Sequence, residues 1–581
     1  MHYHWLRDTR HRLANANSLI HLSILGVLSG ISCSLVILLF RYLIETPSSL
    51  WLPGGDADNF EALPNWLHFA LPLSGALLLG FILRKMAVAD TRTGIVHVLT
   101  RLHVDHGHLP LKNALVQFFG GALAVITGQS GGREGPAIHL GAATNSLIGQ
   151  KLRLPNNSIR MLVGCGTSAA IAASFNTPIA GVIFAMEVIM MEYTVAGFIP
   201  VMLAAITGTI MSRAIYGGDL LFDIPAIEMA SLWEVPFIIF LGLVIGSCAA
   251  LFMKILKLSL HFADRPIMQR FAMAGLVTGC CALMVPEVMG IGYDSLNAAL
   301  NSELSLQLMF ALIAAKIIAT AVSTGMGMPI GLIGPNILIG ACIGSALGGL
   351  GAYFFPELSS QRSFYVLLGM GAMMGAVLNA PLAALMALLE LSNNTTMIFP
   401  GMLAITVATL TNSEIFKQRS AHQTALFQLK QLLPTDPVSL ALQRTSVASI
   451  MQRNIATTMN QVTLEEAQTL AEKPYLWYVI GGNDDKLQLS HGDDLRQHIE
   501  TRLKTDPGPL IELTGAHTEQ VMELHIQATL REALTVMNKH EVDTLYVSGY
   551  LTGGRSPVSS LDLGIITRAD IEKHNNTPQS F

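Results

Sequence analysis

Two glycine–proline motifs set inside apolar sequence constrain this chain more than anything else in it. Gly132-Arg-Glu-Gly-Pro-Ala-Ile-His-Leu-Gly-Ala aligns without a gap on Gly331-Leu-Ile-Gly-Pro-Asn-Ile-Leu-Ile-Gly-Ala. Gly132, Gly135, Pro136, Ile138, Gly141 and Ala142 are identical to Gly331, Gly334, Pro335, Ile337, Gly340 and Ala341 at one offset. A second pair follows in the same order: Asn176-x-Pro178-x-Ala180 running on to Glu187, and Asn379-x-Pro381-x-Ala383 running on to Glu390. One match between glycine-rich apolar segments can arise by chance. Two ordered matches mean a duplicated half.

The setting of these motifs is membrane-like. Hydrophobic residues make up 51% of the chain and charged residues only 13%, where a soluble domain carries about 25% charged residues. Apolar segments fill positions 18 to about 415, many broken by Gly and Pro, so that few are expected to read as clean spans of roughly 20 residues. Irregular backbone at membrane depth is tolerated only when buried in protein or lining a water-filled cavity. Interrupted segments in corresponding positions of two halves point to a binding site near the midplane. The fold class expected is an all-α polytopic membrane protein with internal, inverted repeats and broken helices. Arg7, Arg10 and Arg12 precede the first apolar run, which is too long for a signal peptide, and place the N-terminus in the cytoplasm. A net charge of −5 gives no reason to expect a nucleic-acid partner.

The six cysteines, Cys33, Cys165, Cys248, Cys280, Cys281 and Cys342, all lie in apolar stretches without C-x-x-C spacing. They read as small packing residues and not as metal ligands or disulfides. His103, Asp105, His106 and His108 have a metal-like composition but no helical i, i+4 spacing, and read as a solvated loop before Pro110. No metal site is expected.

A Gly-x-x-Gly-Pro turn that opens a helix has a definite chemical use. Proline suits the first helical turn, and glycine lets the backbone approach a ligand closely. The first N–H groups of the helix have no internal partner, and the macrodipole puts about half a positive charge there. Such an end binds anions. Two of them, one per repeat, would hold a dehydrated halide weakly enough to release it. Glu134 is a carboxylate inside the first of these turns, and an ionisable residue at membrane depth is functional by default. Charged, it would occupy the place of an anion; protonated, it would leave. The structural alternative is an Arg133–Glu134 ion pair that only stabilises the turn.

Gly132-Arg133-Glu134-Gly135-Pro136, Phe175-Asn176-x-Pro178-x-Ala180-Gly181 and Gly331-x-x-Gly334-Pro335 together resemble the CLC family of chloride channels and chloride/proton exchangers over residues 18–425. The resemblance implies that Glu134 is the gating glutamate. It also implies that backbone around Gly132, Arg133, Glu134, Gly135, Leu332 and Ile333 lines the anion path. The family's first filter segment is altered here to Arg92-Thr93-Gly94-Ile95-Val96, with Thr93 supplying the anion-binding hydroxyl. Ile333 stands where an aromatic is usual, and His422 aligns with the pore tyrosine. Exchangers of the family often carry a second glutamate after Glu187, as the inner proton relay. This chain has Val188 there, a pattern similar to the passive channels, so that a channel is the first expectation and a chloride/proton antiporter the second. The resemblance further implies a homodimer in a bacterial inner membrane, cytoplasmic termini and no cofactor.

Charge returns after about residue 420. Residues 1–17 read as a cytoplasmic segment, 18–425 as the transport domain, 426–445 as a linker and 446–581 as an α/β module. Thr529-Leu-Arg-Glu-Ala-Leu534 repeats the pattern of Leu464-Glu-Glu-Ala-Gln-Thr-Leu470, and the module resembles a CBS domain pair. Thr567 and Asp570 match positions where some such pairs hold an adenine nucleotide through its ribose; a purely structural module is the alternative.

Two other classes fit poorly. A membrane-embedded enzyme using Glu134 needs a second catalytic group within reach, and the repeat places Ile333 there. A sodium- or metal-coupled carrier needs midplane carboxylates on both repeats, and the only candidates, Glu187 and Glu390, each end a helix.

Overall fold

The computed structural model describes residues 13–14, 18–217, 229–356, 359–431, 437–473, 475–481, 487–505, 510–513, 517–549 and 563–576. Arg7, Arg10 and Arg12 lie outside the described residues. The chain falls into two compact units. One comprises Leu22–Lys151 with Ile159–Leu433; the other comprises Met1–His21, Leu152–Ser158 and Pro434–Phe581.

The first unit is helical. Among the described residues, nine helices are long and apolar enough to cross a membrane, from Leu19–Trp51 to Thr395–Ile415. The expectation of few clean spans therefore fails. Pro47, Pro72 and Pro200 sit inside continuous helices, because neighbouring helices can satisfy the backbone groups that proline frees. The interruptions concentrate at the duplicated motifs, and the helices that matter there are α1 (Leu19–Trp51), α2 (Gly94–His103), α3 (Glu134–Lys151), α4 (Pro178–Phe184), α5 (Tyr293–Leu300), α6 (Leu306–Gly325), α7 (Ile333–Phe354), α8 (Pro381–Ser392) and α9 (Ala421–Gln428).

The repeats meet each other. Gly132 and Gly331 form a two-bond antiparallel bridge, each N–H donating to the other's carbonyl at 2.7 Å. The second motif pair is reciprocal too. Asn176 and Asn379 adopt φ of 60° and 53°, left-handed positions that asparagine tolerates, and Pro178 and Pro381 start the helices that follow. Glu187 accepts the N–H groups of Leu382 and Ala383 at the start of α8, at 3.3 and 2.8 Å. Glu390 accepts those of Ile179 and Ala180 in α4, at 2.8 and 2.7 Å. Each half supplies the carboxylate that caps the other half's helix, satisfying donors that would otherwise be orphaned. Close helix approach repeats as well. A Cβ on Gly141 would strike the Gly166 carbonyl, and one on Gly340 the Gly369 carbonyl, the small-residue contact typical of membrane helices.

The second unit contains two similar strand–helix–strand–strand–helix repeats. In the first, β1 (Ile455–Met459) runs parallel to β3 (Trp477–Gly481), which pairs antiparallel with β4 (Leu487–His491); β2 (Gln461–Thr463) pairs separately with β5 (Leu510–Glu512). β6 (Thr518–Gln520) extends this sheet beside β4. In the second repeat, β7 (Met522–His525) runs parallel to β8 (Thr544–Ser548), which pairs antiparallel with β9 (Gly564–Thr567). The first helix of each opens with a reciprocal capping box, Thr463/Glu466 and Thr529/Glu532.

Candidate functional site

Glu134 opens α3 with its side chain 1% exposed. Its carboxylate lies over the two signature turns at once. A Cβ on Gly132 would collide with Oε2, and one on Gly334 would stand 3.3 Å from Oε2 and 3.5 Å from Oε1. Glycine at these positions is what lets a carboxylate rest between two helix starts, where anions are favoured. Among the described residues Oε2 has no hydrogen-bond partner, while Oε1 accepts a short hydrogen bond from the Tyr293 hydroxyl. Arg133 does not pair with Glu134. Its guanidinium reaches Glu45 on α1 at 2.6 Å, which disposes of the ion-pair alternative.

Below the turns a cavity of about 270 Å³ is lined by Thr93, Gly94, His97, Gly135, Gly331, Leu332 and His422, among others. It brings together four residues singled out from sequence: Thr93, Gly135, Leu332 and His422. Thr93 is the N-cap of α2, and His422 is buried near the start of α9. The Ile333 side chain is not on this cavity; it lines a small apolar one with Phe175, Phe184 and Ile337. Val188 is half-buried and packs against the apolar core.

Several groups carried no sequence signal. His97 and His139 stand 2.8 Å apart, Nδ1 to Nε2, both buried. Around Tyr293 the loop carboxylates Asp58 and Glu61 gather with Asp294. Burial, and then the neighbouring charge of Asp294, push the carboxyls of Asp58 and Glu61 above the usual carboxylate range. Lys316 on α6 is fully buried and donates to the carbonyls of Val288 and Gly290 at 3.0 and 3.1 Å. His103 corrects the reading of its segment as a solvated loop. It is buried at the end of α2 and contacts the Ile189 carbonyl at 2.8 Å, because α2 extends past the point where the polar cluster suggested a turn. Cys280 is likewise exposed on the protein surface and not packed.

In the second unit, Asp570 Oδ2 accepts from the Thr567 N–H and hydroxyl at 3.1 and 2.7 Å, and Gln452 Nε2 lies 3.2 and 3.0 Å from the two carboxylate oxygens. Both oxygens are engaged within the protein.

Opposed helix starts joined across an inverted repeat, with a carboxylate seated between them, define a membrane protein of the anion-transport class. The chain belongs to the voltage gated chloride channel family, whose pattern matches residues 75–413. A putative chloride channel protein, ClcB-like, from Ralstonia nicotianae is 30% identical over 364 residues, 61% of this chain and 85% of that protein. The H(+)/Cl(-) exchange transporter ClcA of Vibrio cholerae is 28% identical over 439 residues, 71% of this chain and 92% of that protein. Among solved structures, a slow cyanobacterial Cl-/H+ antiporter superposes with a TM-score of 0.61 at 22% identity, covering 71% of this chain and 98% of that one. A eukaryotic CLC transporter covers 96% of this chain and 98% of its own, with a TM-score of 0.56 at 18% identity. The protein is thus a multi-pass integral membrane protein of an anion-transport family.

Proposed function

We propose that the chain exchanges chloride, or a similar small anion, for protons across the membrane, with Glu134 as both gate and proton carrier. The observation that carries this reading is the Glu134 carboxylate seated over Gly132 and Gly334, where a transported anion would rest. A group that competes with the anion when charged, and yields when protonated, links the two ions at one place.

Val188 pointed from sequence to a passive channel, on the argument that protons would otherwise cross dry, low-dielectric protein. The cavity that reaches Gly135 weakens that argument. Its volume of about 270 Å³ is many times the roughly 10–15 Å³ that a cavity needs to hold one water, and its lining includes His97 and His422. The relatives named as exchange transporters support the same reading. A passive channel is the second reading, favoured by Val188.

Backbone at Gly132, Arg133, Glu134, Gly135, Leu332 and Ile333 would hold the anion, with Thr93 and His422 guarding the cavity below. The second unit would be a CBS pair in a homodimeric protein. Its Thr567–Asp570 pair acts as a helix cap, and a ribose would have to displace those bonds.

The test is a proteoliposome experiment with an outward chloride gradient and no pH gradient. Protons should enter, the movement stopping with an uncoupler and in Glu134→Gln. Chloride efflux with no proton movement would leave the channel reading.

A further inference from the structure

We infer that Tyr293 latches the gate carboxylate in its seated position, and that Asp58 is the positioning residue that holds the tyrosine in place. The inference deepens the assignment of Glu134 as the gate and rests on it.

The Tyr293 hydroxyl donates to Glu134 Oε1. The two turns place Gly132 and Gly334 against the carboxylate, and the one cationic side chain in them, Arg133, is turned to Glu45. The tyrosine comes from a different part of the chain, the loop that enters α5, and that loop is fixed from two sides. Asp58 accepts the N–H groups of Ile291, Gly292 and Tyr293 at 3.3, 2.9 and 3.0 Å, so its carboxylate sits in a nest of three successive amides. Gly292 reaches the required backbone conformation at φ 84°. From the other side Lys316 holds the carbonyls of Val288 and Gly290. Arg133 stands 5.7 Å from the centre of the tyrosine ring and is itself tied to Glu45. Tyr293 therefore has little freedom to leave the gate, and motion is left to Glu134.

The charged groups facing this pair are Arg133 and Glu45 on one side, and Asp58, Glu61, Asp294 and Lys316 on the other. None of these six makes a hydrogen bond to the Glu134 carboxylate among the described residues; that contact comes from Tyr293. A hydrogen bond to a charged group contributes about 1.5–3 kcal/mol, roughly tenfold or more in population, and this one is made with the carboxylate seated between the turns. Tyr293 therefore holds Glu134 in its seated position against displacement. Removing the hydroxyl should make the gate open at higher pH.

The experiment is anion flux from proteoliposomes as a function of pH, comparing the wild type with Tyr293→Phe, Tyr293→Leu and Glu134→Gln. Wild-type flux should rise as pH falls, and Glu134→Gln should be flat. Tyr293→Phe keeps the ring beside Arg133 and should move the midpoint of the flux profile about one unit toward alkaline pH, matching a roughly tenfold loss of the seated position when its hydrogen bond is removed. Tyr293→Leu should move it the same way, and adding Glu134→Gln to either should abolish the shift. A role in packing alone would alter the amount of folded protein but not the midpoint. If Glu134→Gln is flat while both Tyr293 variants keep the wild-type midpoint, the latch is overturned and the gate stands. If Glu134→Gln retains a wild-type profile, the gate assignment falls and the latch with it.

Discussion

Gly132→Ala is the smallest change that should unseat the gate. The added methyl would collide with Glu134 Oε2 and lie 3.3 Å from the Gly334 nitrogen. The residue's N–H and carbonyl, which form the bridge to Gly331 at 2.7 Å, are unaffected by a side chain, so the junction between the repeats should survive. Overpacking of this kind costs about 1–3 kcal/mol. At roughly 1.4 kcal/mol per factor of ten, the seated carboxylate should lose about five- to 150-fold in population relative to the displaced one. Reconstituted Gly132→Ala should therefore pass anions several times faster than wild type at neutral pH, with little difference left in acid, where the gate is already neutral. In a Glu134→Ala background the methyl meets no carboxylate, and the same substitution should change little. A folded Gly132→Ala protein with the wild-type ratio of acid to neutral flux would refute the seating of Glu134 between the turns.

The reciprocal caps make a separate prediction. Glu187→Ala and Glu390→Ala should each destabilise the membrane unit by about 1.5–3 kcal/mol, the range for hydrogen bonds to a charged group, read as a lower melting temperature in detergent, while transport per folded molecule changes less. The closed Thr567–Asp570–Gln452 arrangement predicts no measurable heat when the full chain is titrated with ATP; binding that Asp570→Ala abolishes would restore the nucleotide site.

The duplicated motifs were readable because identical residues recur at a fixed offset, and the bridge between Gly132 and Gly331 is the direct physical counterpart of that alignment. Glu134 was readable for a related reason, as a charge in an apolar turn. The cross-capping was not. Glu187 and Glu390 look alike as helix-terminal acids, and only the antiparallel docking of the two halves brings each to the other's helix start. Tyr293 gave no signal, since a tyrosine beside a glycine turn is ordinary and its partner lies far away in the chain. The expectation of few clean spans failed because Gly and Pro do not break every membrane helix: at Pro72 and Pro200 the helix runs on through the proline. His103 was misplaced because charge and histidine content suggested solvent, whereas α2 carries its ring inward to the Ile189 carbonyl.

The central claim is that one carboxylate couples anion to proton, and the reversal potential tests it most directly. With equal chloride on both sides of a bilayer and a pH gradient across it, the account predicts a nonzero reversal potential that collapses to zero in Glu134→Gln. A wild-type reversal potential of zero, the value fixed by chloride alone, would contradict it.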